Sequence, residues 1–314
     1  FEKMREKLLR DTTITSMCHL GARAFDAIGG EVVATTATVF QNAHIEGKGA
    51  YVRLVDLIGS DPKRQAMLEA IQNPACGWFY RADASTFKDI PGTPIAYWAS
   101  EKLRHLSQAH RQLGDSLAFR EGIHSADNAT FLRLWWETCK TDVVKDATSL
   151  KDLDNKGKWN PYCKGGEYRK WYGNLEWVIA FDRQTREKMR ALPGCVWPSQ
   201  EFWFSEGGTW TAVSSGKFGL RYMPAGSLFD AGGQVVIGAN SLEAIGLLNS
   251  SLMKLYADIL MPTLNYKCGI VKTLPDLRTG SETINRLIRS TIDESKSDYD
   301  SFETSWDFKR HPLV

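Results

Sequence analysis

From Trp177 onward the apolar residues come in runs of only four to six, separated by segments that carry glycine: Trp177 to Phe181, Glu201 to Ser205, Trp210 to Ser214, Phe218 to Met223 and Gln234 to Ile237. Runs this short cannot complete a helix with a buried stripe, and their spacing predicts strands, paired antiparallel. Six of the eleven tryptophans, Trp159, Trp171, Trp177, Trp197, Trp203 and Trp210, fall in or just before this stretch. Rings of that size supply a large apolar area to whatever the strands enclose.

The flanks read differently. Glu2 to Arg10 predicts a helix, followed by two β-branched runs, Thr12 to Leu20 and Val32 to Phe40, on either side of Gly29-Gly30. Tyr51 to Ile58 offers a further apolar run, and Gly77 to Phe87 a strand. Asp61-Pro62 and Thr93-Pro94 each place proline at a helix start, predicting helices over 63–72 and 95–113. Asp127-Asn128 caps a helix over 129–139, and Asn240 with Glu243 forms a capping box for a long helix over 242–260. A strand over 270–274 and a last helix over 282–295 complete the pattern. Sheet-like sequence gives way to capped helices between residues 45 and 75, where a boundary between two units is expected. The fold class is α/β (α+β). Phe1 falls inside a helical pattern with no glycine-rich cofactor loop ahead of it, so the chain is expected to be a fragment.

Composition narrows the class. Apolar residues make up 43% and charged residues 24%, an ordinary globular balance. No apolar run reaches the ~18 residues of a bilayer span, and the charged start is not a signal peptide, so a cytoplasmic protein is expected, with no membrane partner. The six cysteines are scattered, and His105 and His110 lie five apart on a helix with no matching ligand, so no metal site is expected. A net charge of +2 does not identify a polyanion partner, although local clustering can outweigh the sum.

The segment from Lys156 to Gly173 is the densest candidate for chemistry. It carries five cations, among them Lys158, Lys164, Arg169 and Lys170, against one carboxylate, with five aromatic rings that include Trp171 and Tyr172. Cations contact phosphate, arginine can read guanine through paired donors, and Gly165-Gly166 lets backbone approach a ligand. A solvated hairpin with inward rings explains the same composition equally well. Arg120, Asn128 and Arg133 lie around a helix start whose free amides favour an anion, a pattern that an ordinary capped helix also gives. Lys217 and Arg221 could share one face of a strand, or be plain surface.

Longer phrases carry a resemblance. Gly77-Trp78-Phe79-Tyr80, the run from Ile90 to Trp98, Asp127-Asn128 with Phe131-Leu132-Arg133, the run from Lys164 to Gly173, and Glu303-Thr304-Ser305-Trp306-Asp307-Phe308 together resemble the large adenine-specific DNA methyltransferase of BREX-type phage-defence systems, related to single-chain restriction-modification enzymes. The resemblance covers nearly the whole chain. It implies that residues 1–60 are the tail of a class I methyltransferase domain and 61–314 a mixed α+β target-recognition domain for double-stranded DNA, with long helices and antiparallel strands. It implies S-adenosylmethionine in the full-length enzyme and none bound here, because the family's cofactor and catalytic motifs are absent. The missing catalytic domain, and other phage-defence subunits, are the implied protein partners. Phe25 matches the place of an aromatic residue that stacks on a flipped adenine, although a core ring is an equal reading. Asn160-Pro161-Tyr162 lacks the second proline of the family's catalytic motif and is not taken for it. Two other functions stay open: a carbohydrate-binding module or glycosidase using tryptophan platforms, and a protein interaction scaffold docking through the aromatic, acidic tail.

Overall fold

The computed structural model describes residues 2–28, 33–214, 217–262, 265–311 and 313. The chain divides into two compact units, Phe1–Ala109 and His110–Val314. The fold is α+β with mixed and antiparallel sheets.

In the smaller unit α1 (Glu2–Asp11) leads into β1 (Thr13–Gly21), β2 (Thr35–Gln41) and β3 (Lys48–Arg53), then α2 (Ser60–Gln72), β4 (Phe79–Asp83) and α3 (Glu101–Ala109). The four strands lie in the order β2-β1-β3-β4, with β1 parallel to β3 and the other pairs antiparallel. The expected Gly29-Gly30 turn and Val32 lie outside the described residues. Tyr51 and Tyr97 stack at 4.6 Å in the core beside Ile14 and Phe87. Lys63 is buried and donates to the carbonyls of Leu20, Ala22 and Leu54, so α2 is tied to the ends of β1 and β3 by one ammonium.

β4 pairs with β3. That pairing binds residues 61–109 to the smaller unit, so the compact division falls near residue 110 and not near 60. Residues 95–100 are not helical and α3 starts only at Glu101.

The larger unit contains β5 (Ala118–Arg120), α4 (Asn128–Phe131), β6 (Leu132–Leu134), α5 (Leu150–Lys156), β7 (Trp159–Cys163), β8 (Trp177–Ala180), α6 (Arg183–Arg190), β9 (Gly207–Thr211), β10 (Arg221–Met223), β11 (Leu228–Phe229), β12 (Gly233–Ile237), α7 (Ser241–Leu248), α8 (Ser251–Leu260), α9 (Cys268–Val271) and α10 (Glu282–Tyr299). Two four-stranded sheets form, β10-β9-β12-β5 and β11-β7-β8-β6. The turn between β11 and β12 passes from one sheet to the other. Asp230 shapes it, accepting from Gly232 N at 2.7 Å and from the Tyr162 hydroxyl at 2.9 Å.

Several sequence-based expectations change here. Helix 129–139 shrinks to α4 because Leu132–Leu134 is recruited as a strand against β8. Residues 201–205 are not a strand: Gln200–Phe202 is a short 3₁₀ helix, followed by a turn. The long helix 242–260 breaks at Asn249-Ser250, where the Ser250 hydroxyl caps α8. Glu243 is buried and accepts from Thr279 N at 2.6 Å and Gly280 N at 2.9 Å, anchoring the approach to α10 and not its own helix start. Residues 270–274 are helix and turn, and the final helix runs on to Tyr299.

The tryptophans mostly face inward. Trp210 is fully buried against Phe119 and Phe218, and Trp197 and Trp203 pack with Phe181. None of the six clustered tryptophans is among the largely exposed rings, which weakens a sugar-stacking platform.

Candidate nucleic-acid interface

Residues 164–176 connect β7 to β8, so the basic aromatic segment is the long loop of a hairpin whose strands lie in the core. The loop is internally fastened. Gly165 and Gly166 have φ of +95° and +124°, and a Cβ on Gly166 would lie 2.9 Å from Asn174 Nδ2, so the bend requires glycine. Thr211 Oγ1 donates to Gly166 O at 2.9 Å, and Asn174 Nδ2 donates to Glu167 O at 2.9 Å. Farther along, Trp171 N donates to Leu220 O and Trp171 O accepts from Tyr222 N, both at 2.7 Å. The loop thereby runs beside β10.

Its cations take distinct roles. Lys158 is exposed, 5.3 Å from the Trp159 ring, and half-buried Lys164 lies 4.2 Å over Trp177. Arg169 is exposed, with its guanidinium 5.3 Å over the Tyr299 ring. Lys170 donates to Asn249 O at 2.7 Å. Trp171 is half-buried and Tyr172 is buried, its ring parallel to that of Tyr222 at 6.5 Å and edge-on to Tyr299 at 5.7 Å.

A lysine cluster forms around this loop. Burial lowers the Lys170 ammonium, and the nearby charges of Lys254 and Lys217 push it down further. Lys217 and Lys254 are exposed, and none of the three enters an ion pair among the described residues. Tyr168 is 43% exposed beside them; a Cβ on Gly219 would sit 3.0 Å from both the Lys170 stem and the Tyr168 ring. Three like charges near one another, none in an ion pair among the described residues, suit an anionic partner.

Other sequence candidates do not join the cluster as free cations. Arg120 lies 4.7 Å over the Phe202 ring and donates to Phe119 O at 3.0 Å. Arg133 turns onto its own backbone, donating to Ala129 O and Leu132 O at 2.6 Å. Asn128 is exposed but accepts from Ser125 Oγ at 2.6 Å, while Asp127 caps Thr130 N at 3.1 Å, the ordinary reason for this pair of residues. Arg221 is only 2% exposed: in β10 it points inward with Met223 while Tyr222 points out, so it does not share a surface with Lys217, which precedes the strand. Asn160 is also fully buried, and its amide donates to Val144 O and Gly226 O at 2.8 Å, a structural role within β7. In the smaller unit Phe25 is 50% exposed and is therefore not a core ring.

Lys254 and Tyr168 were not singled out from sequence. Tyr168 belongs to the run from Lys164 to Gly173, but Lys254 is the one cation of the largely apolar α8, and only folding brings it to Lys170.

Fold and surface together define the class: a two-unit α+β protein whose larger unit presents a lysine and tyrosine cluster beside a fastened loop. No protein-family model matches the chain. It is 38% identical over 327 aligned positions to the adenine-specific methyltransferase PglX of Lacticaseibacillus casei (strain Zhang), and 35% identical over 325 to the adenine-specific methyltransferase BrxX of Escherichia coli O9:H4 (strain HS). All of the chain aligns in both cases, spanning 27% and 25% of the relatives' lengths. The chain is therefore a homologue of about a quarter of these adenine-specific methyltransferases.

Proposed function

We propose that the chain supplies the DNA target-recognition surface of an adenine-specific DNA methyltransferase acting in BREX-type phage defence in the cytoplasm. Its partner is double-stranded DNA, and S-adenosylmethionine is the methyl donor of the full-length enzyme, held outside these residues. Residues 1–60 are read as the closing part of a class I methyltransferase sheet, with Phe25 exposed and available to stack on an extruded base. The observation that carries the proposal is the cluster of Lys170, Lys217 and Lys254, none of them in an ion pair among the described residues, with Tyr168 beside it and exposed Arg169 next to Lys170 in the chain. Lysines there neutralise phosphates and release counterions, and the exposed side of Arg169 is the group suited to a base edge.

The test is duplex binding measured by fluorescence anisotropy across a salt series. Lys217→Glu with Lys254→Glu should weaken binding of every sequence alike and reduce the log–log salt slope by about 2, roughly one for each lost phosphate contact. Arg169→Ala should instead relax preference at one base position by about 1–3 kcal/mol. Unchanged affinity and slope in the double variant would refute the assignment.

A further inference from the structure

A cavity of about 350 Å³ opens on the larger unit, walled by the rings of Tyr172, Tyr222 and Trp306 and by Arg289, Asp293 and Lys296 of α10. Two of its cations are already satisfied. Lys296 donates to Asp300 at 2.5 Å and Asp307 at 2.9 Å, and Lys145 lies 4.4 Å over the Trp306 ring and 3.7 Å from Asp307. Arg289 and Asp293 are different. They stand one helical turn apart, both exposed, and neither side chain forms a hydrogen bond or ion pair among the described residues.

We propose that this cavity binds a nucleotide unit with an amino-bearing base. The guanidinium offers a two-pronged donor that matches phosphate. Lys296 lies 5.2 Å over the Tyr172 ring and Lys145 covers Trp306, so the half-buried Tyr222 ring supplies the flat face on which a base stacks, and the free carboxylate accepts from an exocyclic amine. A neutral sugar can accept hydrogen bonds from Arg289 but leaves its charge uncompensated, and inorganic phosphate leaves Tyr222 and Asp293 unanswered. The nucleotide comes either as a free mononucleotide or as an unpaired residue of a DNA strand. The proposal stands apart from the lysine cluster, which uses none of these groups.

The experiment titrates the chain with 5′-AMP, 5′-GMP, 5′-IMP as the comparator without an exocyclic amine, and a short 5′-phosphorylated single-stranded oligodeoxynucleotide, followed by calorimetry and tryptophan fluorescence. Saturable binding that weakens about tenfold or more in Arg289→Ala, and in Asp293→Asn loses its preference for amino-bearing bases, supports the site. Both positions are exposed, so an unchanged thermal midpoint will show that the variants fold. Mononucleotides binding as well as the oligonucleotide identify a free ligand, and binding of the oligonucleotide alone identifies an unpaired strand. Lys217→Glu with Lys254→Glu should leave mononucleotide binding intact. If no probe binds, or if binding survives Arg289→Ala undiminished, the proposal is overturned.

Discussion

Replacing Arg221 by methionine should make the larger unit more stable by about 1–3 kcal/mol, against the usual direction for a core substitution. The guanidinium is 2% exposed, its Nε has no hydrogen-bond partner, and it enters no ion pair among the described residues. Burial holds its pKa down to about 10 from the ordinary 12.5, although Cys163 and Glu176 pull the other way. At about 1.36 kcal/mol per pKa unit, that depression corresponds to roughly 3 kcal/mol of disfavour for the charged form. Methionine fills a similar volume, and a near-isosteric swap costs under ~1.5 kcal/mol, so the charge term wins. The assay is thermal unfolding of the larger unit, where each kcal/mol moves the midpoint about 2–4 °C for a domain of this size. A lowered midpoint would show that the guanidinium stabilises the core. Because the side chain does not reach solvent, duplex affinity and its salt slope should not move in a folded Arg221→Met protein; weakened binding would return Arg221 to the interface.

Two further outcomes follow from buried charges with good partners. Arg278 reaches Asp276 through bonds of 2.9 Å to each carboxylate oxygen and, with Ser116, holds its pKa at about 2. The folded value lies below the unfolded one, so this stabilisation is complete above pH ~5 and is lost as pH falls through ~4 toward and below 2, about 2 kcal/mol in all. Asp276→Asn should flatten that part of the stability profile, and an acid slope identical to wild type would contradict it. In the smaller unit Lys63→Met leaves the carbonyls of Leu20, Ala22 and Leu54 without their shared donor. A loss of about 2–4 kcal/mol is expected in urea unfolding, and an unchanged midpoint would refute the clamp.

Local signals proved readable where backbone chemistry alone decides the outcome. The α1-β1-β2 succession, the strands around 177–180 and 233–237, and α10 all follow from periodicity and β-branching. Long-range pairing decided the rest. Leu132–Leu134 looks helical by its apolar spacing but completes a sheet beside β8, and Glu243 looks like a cap but answers amides 36 residues away. The same limit applies to the candidate interface. Lys164, Arg169, Lys170 and Lys217 could be picked from composition, whereas the inward turn of Arg221 depends on which face of a three-residue strand meets the core. No local pattern distinguishes a strand that begins at 221 from one that begins at 218.

The end of α10 explains how an exposed loop can still be held in a defined shape, and the segment after it folds back onto the same unit. Tyr299 lies under Arg169, edge-on to Tyr172, with its hydroxyl 3.4 Å from Leu175 N. Ser305 Oγ donates to Asp300 at 2.6 Å, Trp135 Nε1 donates to Thr304 O at 2.8 Å, and Asp307 meets Lys296 and Lys145. The aromatic, acidic tail that sequence offered as a docking strip for another subunit is thus engaged within its own unit. Tyr299 fastens the loop through Arg169, Tyr172 and Leu175, so that Lys170 stands at the lysine cluster while Tyr172, two residues on, walls the cavity. Ordering entropy for this loop is settled during folding and not at binding, the condition under which few contacts can still discriminate between ligands.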